Sequence, residues 1–164
     1  MQITYLGKEK FEIKTKDAKI ILSDKLEIDD FVIDGPGEYE RKGVFVQAIK
    51  PNGDGCIYVV NTETINLCYT GLIREMISDE AIKEIGDIDI LFVPLGDEGT
   101  MDVKKASTLI SKIDPRTVIP MLYTDISEFK KAEGIVEEDL ETLKIKKIDL
   151  PDEERKFYIL NPQV

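Results

Sequence analysis

The sequence predicts an α+β fold, antiparallel strands first and a parallel β-α-β unit later, and three observations carry that expectation. The first seventy residues hold short runs rich in β-branched and aromatic residues, with turn signals at roughly 8 to 12 residue spacing. After Gly71 the apolar period changes from strand-like to helical. Residues 88–95, I-D-I-L-F-V-P-L, then form an almost continuous apolar run, the pattern of a strand covered on both faces.

Taken in order, I-T-Y-L (3–6), K-F-E-I-K (10–14) and K-I-I-L (19–22) predict a meander, separated by Gly7 and by T-K-D. F-V-I (31–33) leads into D-G-P-G, then G-V-F-V-Q-A-I (43–49) and P-N-G-D-G. The runs G-C-I-Y-V-V and T-I-N-L-C-Y then read as a hairpin. A three-residue loop of Asn61, Thr62 and Glu63 would set Val60 opposite Thr64 and Cys56 opposite Cys68, within disulfide reach.

Ile73, Met76, Ile77, Ala81, Ile82 and Ile85 recur near a helical repeat, and Gly86 supplies the stop. Thr100 is the expected N-cap of a second helix, with Asp102 in its first turn and Val103, Ala106, Leu109, Ile110 and Ile113 striping one face. Asp114-Pro115 ends it and R-T-V-I-P-M starts the partner strand. Both strands of this β-α-β unit end on a proline, in V-P-L-G and I-P-M-L, so both following loops emerge at one edge, where α/β proteins mount their chemistry. The remainder predicts a helix over 127–132, a short acidic helix in E-E-D-L-E-T-L, and closing strands in K-I-K-K-I and K-F-Y-I-L. With no internal repeat or linker, one domain over 1–164 is expected.

Composition narrows the chemistry. The chain has 164 residues, enough to bury roughly two thirds of its unfolded surface. Its net charge of −11, with acids and bases interspersed, repels phosphate backbones and anionic membranes, so neither nucleic acid nor membrane is an expected partner. No apolar run approaches a membrane span and M-Q-I-T-Y-L lacks the features of a secretion signal, so a cytoplasmic protein with reduced cysteines is expected. There is no histidine at all, which excludes Ser-His-Asp and Cys-His mechanisms and imidazole-ligated zinc. Two cysteines are too few for a closed structural zinc site.

Three motifs in this order carry a resemblance. The opening M-Q-I-T-Y-L-G-K-E-K-F-E-I, the segment D-G-P-G-E-Y-E-R-K-G-V-F-V, and D-I-D-I-L-F-V-P-L-G followed by a helix and P-R-T-V-I-P-M-L-Y together resemble the metallo-β-lactamase superfamily, in particular its small stand-alone, lactonase-like branch. The resemblance spans most of residues 1 to 123. It implies a four-layer αββα sandwich, shortened here, and a zinc- or iron-dependent hydrolase site. The positions that resemblance assigns to metal ligands hold other residues. The H-x-H-x-D-H loop expected after I-I-L-S-D is missing beyond Asp24, the bridging aspartate position falls on Leu72, and the last histidine of P-M-H-Y falls on Leu122.

From this the sequence predicts no metal, no cofactor and no catalytic residue, and a remnant pocket at Asp24, Tyr69, Leu72, Leu122 and Tyr123 whose mouth the leucines and tyrosines fill. The leading expectation is a catalytically inactive, metal-free member of the fold that acts as a binding or assembly protein, as a homodimer or with another protein. Two alternatives stand beside it. One is a hydrolase using carboxylates such as Asp24, Asp34 and Glu38 with an oxygen-ligated divalent ion; the other is a small-molecule binding module in the emptied pocket. Against the first, 33 acids place carboxylates near any point by chance. Glu38 and Tyr39 read better as a structural corner after Pro36-Gly37, and G-D-E-G-T (96–100) reads as a loop and helix cap rather than a phosphate cradle.

Overall fold

The structure, a computed structural model, describes residues 1–51, 55–96 and 100–163. Its fold is α+β, with two sheets and three α-helices among these residues. The first sheet begins with an antiparallel meander of β1 (Gln2–Gly7), β2 (Lys10–Lys14), β3 (Lys19–Leu22), β4 (Leu26–Ile28) and β5 (Phe31–Ile33). The second sheet contains β6 (Gly37–Arg41), β7 (Val44–Ile49), β8 (Ile57–Thr62), β9 (Ile65–Tyr69), β10 (Ile90–Pro94) and β11 (Thr117–Met121). Of the late strands, β12 (Leu143–Lys144) joins the first sheet beside β1, and β13 (Lys156–Phe157) joins the second beside β11. β10 runs parallel to β9 and to β11, as the β-α-β pattern predicts.

Strand alternation decides the layers. Ile3, Phe11, Ile13 and Ile20 of the first sheet meet Val46, Val60, Leu67 and Phe92 of the second in one buried cluster between the sheets. β10 and β11 are buried at every position, so their other face must be covered as well. The helices α1 (Asp79–Ile85), α2 (Val103–Ile113) and α3 (Ser127–Glu133) supply that cover, joining Leu91, Val93 and Val118 in a second cluster through Ile85, Leu109, Ile110 and Phe129. The outward face of the first sheet carries Gln2, Thr4, Glu12, Ile21 and Glu27, all partly exposed, so the shortening of the sandwich falls on that side.

Local chemistry moves several boundaries from their expected places. The helix expected from Ile73 starts only at Asp79, because the Ser78 hydroxyl accepts the Ala81 N–H at 3.2 Å and caps it there. Residues 72–77 are left as coil, with Ile77 buried. The second helix is capped by Asp102, whose carboxylate accepts the Lys105 N–H at 2.8 Å, instead of by Thr100. The acidic segment E-E-D-L-E-T-L is not a helix; it holds an isolated bridge from Leu140 to Leu160 and the first residue of β12. The cysteine register also differs. The turn is Glu63-Thr64, both at positive φ, a two-residue hairpin that sets Val59 opposite Cys68 and Tyr58 opposite Tyr69. Cys68 therefore points to the helix layer and Cys56 packs against the inter-sheet core, both as free thiols.

One buried charge ties the β-α-β unit to the C-terminal segment. The Asp89 carboxylate, 9% exposed, accepts the Asn66 N–H at 2.8 Å and the Lys147 ammonium at 2.9 Å, with Arg116 at 3.7 Å. Asp89→Ala leaves the Asn66 N–H and the Lys147 ammonium without their acceptor, while Arg116 keeps Asp152 at 2.7 Å, so unfolding in urea should show a loss of about 1–3 kcal/mol. An unchanged midpoint would remove Asp89 from any structural role.

Candidate functional site

A concavity of about 570 Å³ lies where β3 and β9 end and β8 begins. That is within the usual size range of small-ligand sites. Ser23 and Asp24 come from the turn after β3, Pro51 and Cys56 from the connection of β7 to β8, and Thr70 to Glu75 from the segment after β9. Ile57, Leu72, Ile73 and Ile77 give it apolar walls.

Gly71 sets the geometry of the last segment. It sits at φ 66°, a left-handed conformation that L side chains rarely adopt, while a Cβ there would make only ordinary contact with the Cys56 carbonyl at 3.5 Å. The chain then turns outward, Leu72 is 51% exposed, and Arg74 follows at the rim. The polar groups around the cavity differ in how far they are already used. Thr70 donates to the Phe92 carbonyl at 3.1 Å. The Ser23 hydroxyl donates to Lys25 O at 2.8 Å and lies 3.3 Å from the Asp24 carboxylate. Glu75 pairs with Lys105 at 3.3 Å. Arg74 makes no ion pair among the described residues. Burial pushes the Cys56 thiol up, only partly offset by the Lys50 charge.

The predicted site residues divide into two groups. Asp24 and Leu72 line this cavity, whereas Tyr69, Leu122 and Tyr123 do not. Those three engage other parts of the fold. The Tyr69 hydroxyl donates to the Glu9 carbonyl at 2.7 Å, and the Leu122 N–H reaches the Lys8 carbonyl and the Tyr5 hydroxyl, each at 3.3 Å. The Tyr5 hydroxyl itself donates to Lys8 at 2.6 Å. The β1–β2 turn thus closes over the ends of β9 and β11. Leu122 adopts φ 59°, a strained value for leucine, and packs against the inter-sheet core. Tyr123 donates to the Leu160 carbonyl at 3.1 Å. The expectation that leucines and tyrosines together fill one mouth is corrected: Leu72 stands half in solvent because Gly71 turns it away.

Other expectations resolve locally. Asp34 is an exposed partner of Lys25 at 3.8 Å, and Glu38 is exposed on β6. The Tyr39 hydroxyl donates to Gly35 O at 3.0 Å, pinning the corner after Pro36-Gly37. Most of G-D-E-G-T, Asp97 to Gly99, lies outside the described residues. Sequence reasoning missed Arg74, and Tyr58, whose buried hydroxyl lies 3.2 Å from Ile33 O and 3.4 Å from Asp24 O, tying the β3–β4 turn to the second sheet. A lone arginine three residues past a left-handed glycine was the available signal for the first.

A family model described as a beta-lactamase superfamily domain matches residues 23–122, more than half of the chain and the segment that builds the cavity. The chain belongs to the metallo-β-lactamase superfamily. A UPF0173 metal-dependent hydrolase of Pyrococcus furiosus is 32% identical over 90 residues, covering 50% of this chain and 40% of that protein. One from Pyrococcus abyssi is 41% identical over 92 residues, covering 51% and 40%. The chain thus matches less than half the length of these relatives. Among solved structures, a candidate zinc-dependent hydrolase of the superfamily from Thermotoga maritima superposes with a TM-score of 0.80 at 21% identity, covering 97% of both chains, which establishes the shared fold.

These relatives overturn the expectation of a catalytically inactive, metal-free protein, since the proteins this superfamily member matches are named metal-dependent hydrolases. Loss of the histidine ligand positions was too narrow a ground for inactivity, because function follows the groups a pocket holds and not one ligand type. Among the described residues no three Asp, Glu or Cys side chains converge as ligands would, and the cavity offers Asp24, Cys56 and Glu75 from separate segments. Those residues do not fit a resident zinc ion, which takes about four ligands.

Burial also sets the ionisation of this region. The Cys68 thiol is pushed up to about 12 and Tyr58 likewise to about 12, while Tyr69 and Tyr123 are raised further, in each case chiefly by desolvation. A thiol reagent at neutral pH should therefore label Cys56 in the folded protein and Cys68 only after denaturant is added. Equal rates would contradict the buried setting of Cys68. The tyrosines give a pH dependence of known sign. Their folded pKa values lie above the unfolded value near 10, so their contribution is intact below about pH 10 and is lost as pH rises towards 12. The Cys68 thiol acts in the same direction from a lower unfolded value, about 8.5, so urea midpoints should be flat below about pH 8, fall above it, and fall more steeply above about pH 10.

Proposed function

We propose that this chain is a hydrolase-type member of its superfamily that takes a small amphipathic anion, such as a carboxylate- or phosphate-bearing ester, lactone or thioester, into the 570 Å³ cavity. The observation that carries this reading is that the cavity forms from the segments after β3 and β9, where the family resemblance locates the reacting centre. The names of the relatives support hydrolysis. Arg74 supplies a cation for the anionic end of the substrate, and Ile57, Leu72, Ile73 and Ile77 take its apolar body. Asp24 is the carboxylate placed to accept a proton from attacking water.

A panel of esters, lactones, thioesters and phosphoesters, assayed with chelator and separately with added Mg²⁺, Mn²⁺ or Zn²⁺, tests the reading. Turnover on at least one class is expected. Asp24→Ala should lower kcat by about 100-fold, the low end for a general base, and Arg74→Ala should mainly raise KM. No turnover on any class under any metal condition would overturn the proposal.

A further inference from the structure

A second concavity, about 450 Å³, lies at the opposite end of the β8–β9 hairpin, where Gln2 of β1, Lys14 of β2 and Lys144 of β12 meet the Glu63 turn. The chain carries 33 acids against 22 bases, yet this groove is lined by four lysines, Lys14, Lys16, Lys144 and Lys146, and by only two acids, Glu63 and Asp149. Register explains part of the crowding. Gln2 is the cross-strand partner of both Lys144 and Lys14, and Lys14 is in turn the partner of Lys19. Directly paired residues share a sheet face, so three lysines stand in one row across four strands, and like charges set opposite one another are destabilising.

The two acids do not neutralise the row. Glu63 accepts the Lys16 backbone N–H at 3.0 Å and pairs with the Met1 amine at 2.8 Å, and Asp149 accepts the Lys146 backbone N–H at 2.9 Å. Of the four lysine ammoniums, Lys14 has Glu12 at 3.3 Å, and the other three form no ion pair among the described residues. Lys14 and Lys144 stand two strand spacings apart, about 10 Å, so a chain of linked anionic groups can engage both together with Lys16 and Lys146, where a single anion meets fewer of the four.

We propose that this groove binds a small polyanion, a molecule carrying two or more closely spaced phosphate groups, held by Lys14, Lys16, Lys144 and Lys146. Flexible ammonium groups select charge density more than shape, which suits an oligophosphate. The acidic surface elsewhere disfavours a long nucleic-acid strand running past the groove.

Inorganic tripolyphosphate is the probe, titrated calorimetrically into the intact chain at low ionic strength, with the melting temperature followed in parallel. Binding and a rise in melting temperature are expected. Orthophosphate should bind at least about tenfold more weakly, and Lys14→Gln combined with Lys144→Gln should weaken tripolyphosphate by about tenfold or more, equivalent to about 1.4 kcal/mol. Both lysines are exposed, so the double variant should melt like the parent without ligand; Lys146→Gln alone provides a milder check. Asp24→Ala should leave this binding unchanged, which keeps it separate from the cavity at the other end. No binding, equal binding of orthophosphate, or binding indifferent to the lysine variants would overturn the proposal.

Discussion

Everything in this fold depends on two strands that cannot tolerate water on either side. Every residue of β10 and β11 is buried, so the second sheet needs a partner layer on each face. The meander supplies one and the three helices the other. Each large apolar side chain so covered contributes roughly 1.5–3 kcal/mol relative to exposure, and their sum outweighs any single cap or ion pair described above. Once the layers are set, the loops at the ends of β3, β9 and β11 have nowhere to go but one rim, and the rim becomes the place for chemistry.

At that rim, hydroxyls and carbonyls divide the space. Tyr5, Tyr69 and the Leu122 N–H bind the β1–β2 turn down over β9 and β11, closing that part of the mouth with ordinary hydrogen bonds. The neighbouring part stays open because Gly71 swings the following residues outward and Ser78 delays the helix by a turn or more. A short capping bond thus has a functional consequence: had the helix begun at Ile73, the segment that now brings Arg74 and Glu75 to the cavity would be wound into it. The superfamily relation and the absence of a converging ligand set in the described residues stand together as properties of this chain. The scaffold is shared while the groups it presents differ.

Charge is distributed with the same economy. On a chain at −11 overall, Arg74 at one end of the β8–β9 hairpin and Lys16, Lys144 and Lys146 at the other are among the cations that form no ion pair among the described residues. β6, at the edge of the second sheet, carries Glu38 and Glu40 on one face, and charge of this kind on an edge strand discourages pairing with another chain.

By itself the sequence determined the strand-then-helix order and the parallel β-α-β unit, because alternation, apolar continuity and Pro/Gly punctuation are local signals read within a few residues; the superfamily was legible only through the resemblance of three motifs. It also marked Asp24 and Leu72 as neighbours, through the ligand positions that the resemblance assigns to them. Tertiary structure decided what depends on registers and turns. A two-residue turn at Glu63-Thr64, in place of three residues, put Cys56 and Cys68 on opposite faces of the sheet. Hydrogen bonds to the Lys8 and Glu9 carbonyls separated Leu122 and Tyr69 from the cavity. The lysine groove exists only because β12 returns from 140 residues away to lie beside β1. Such long-range pairings are fixed by the burial of Ile3, Ile13 and Leu143 on the opposite face, a cooperative constraint that no local window of sequence contains.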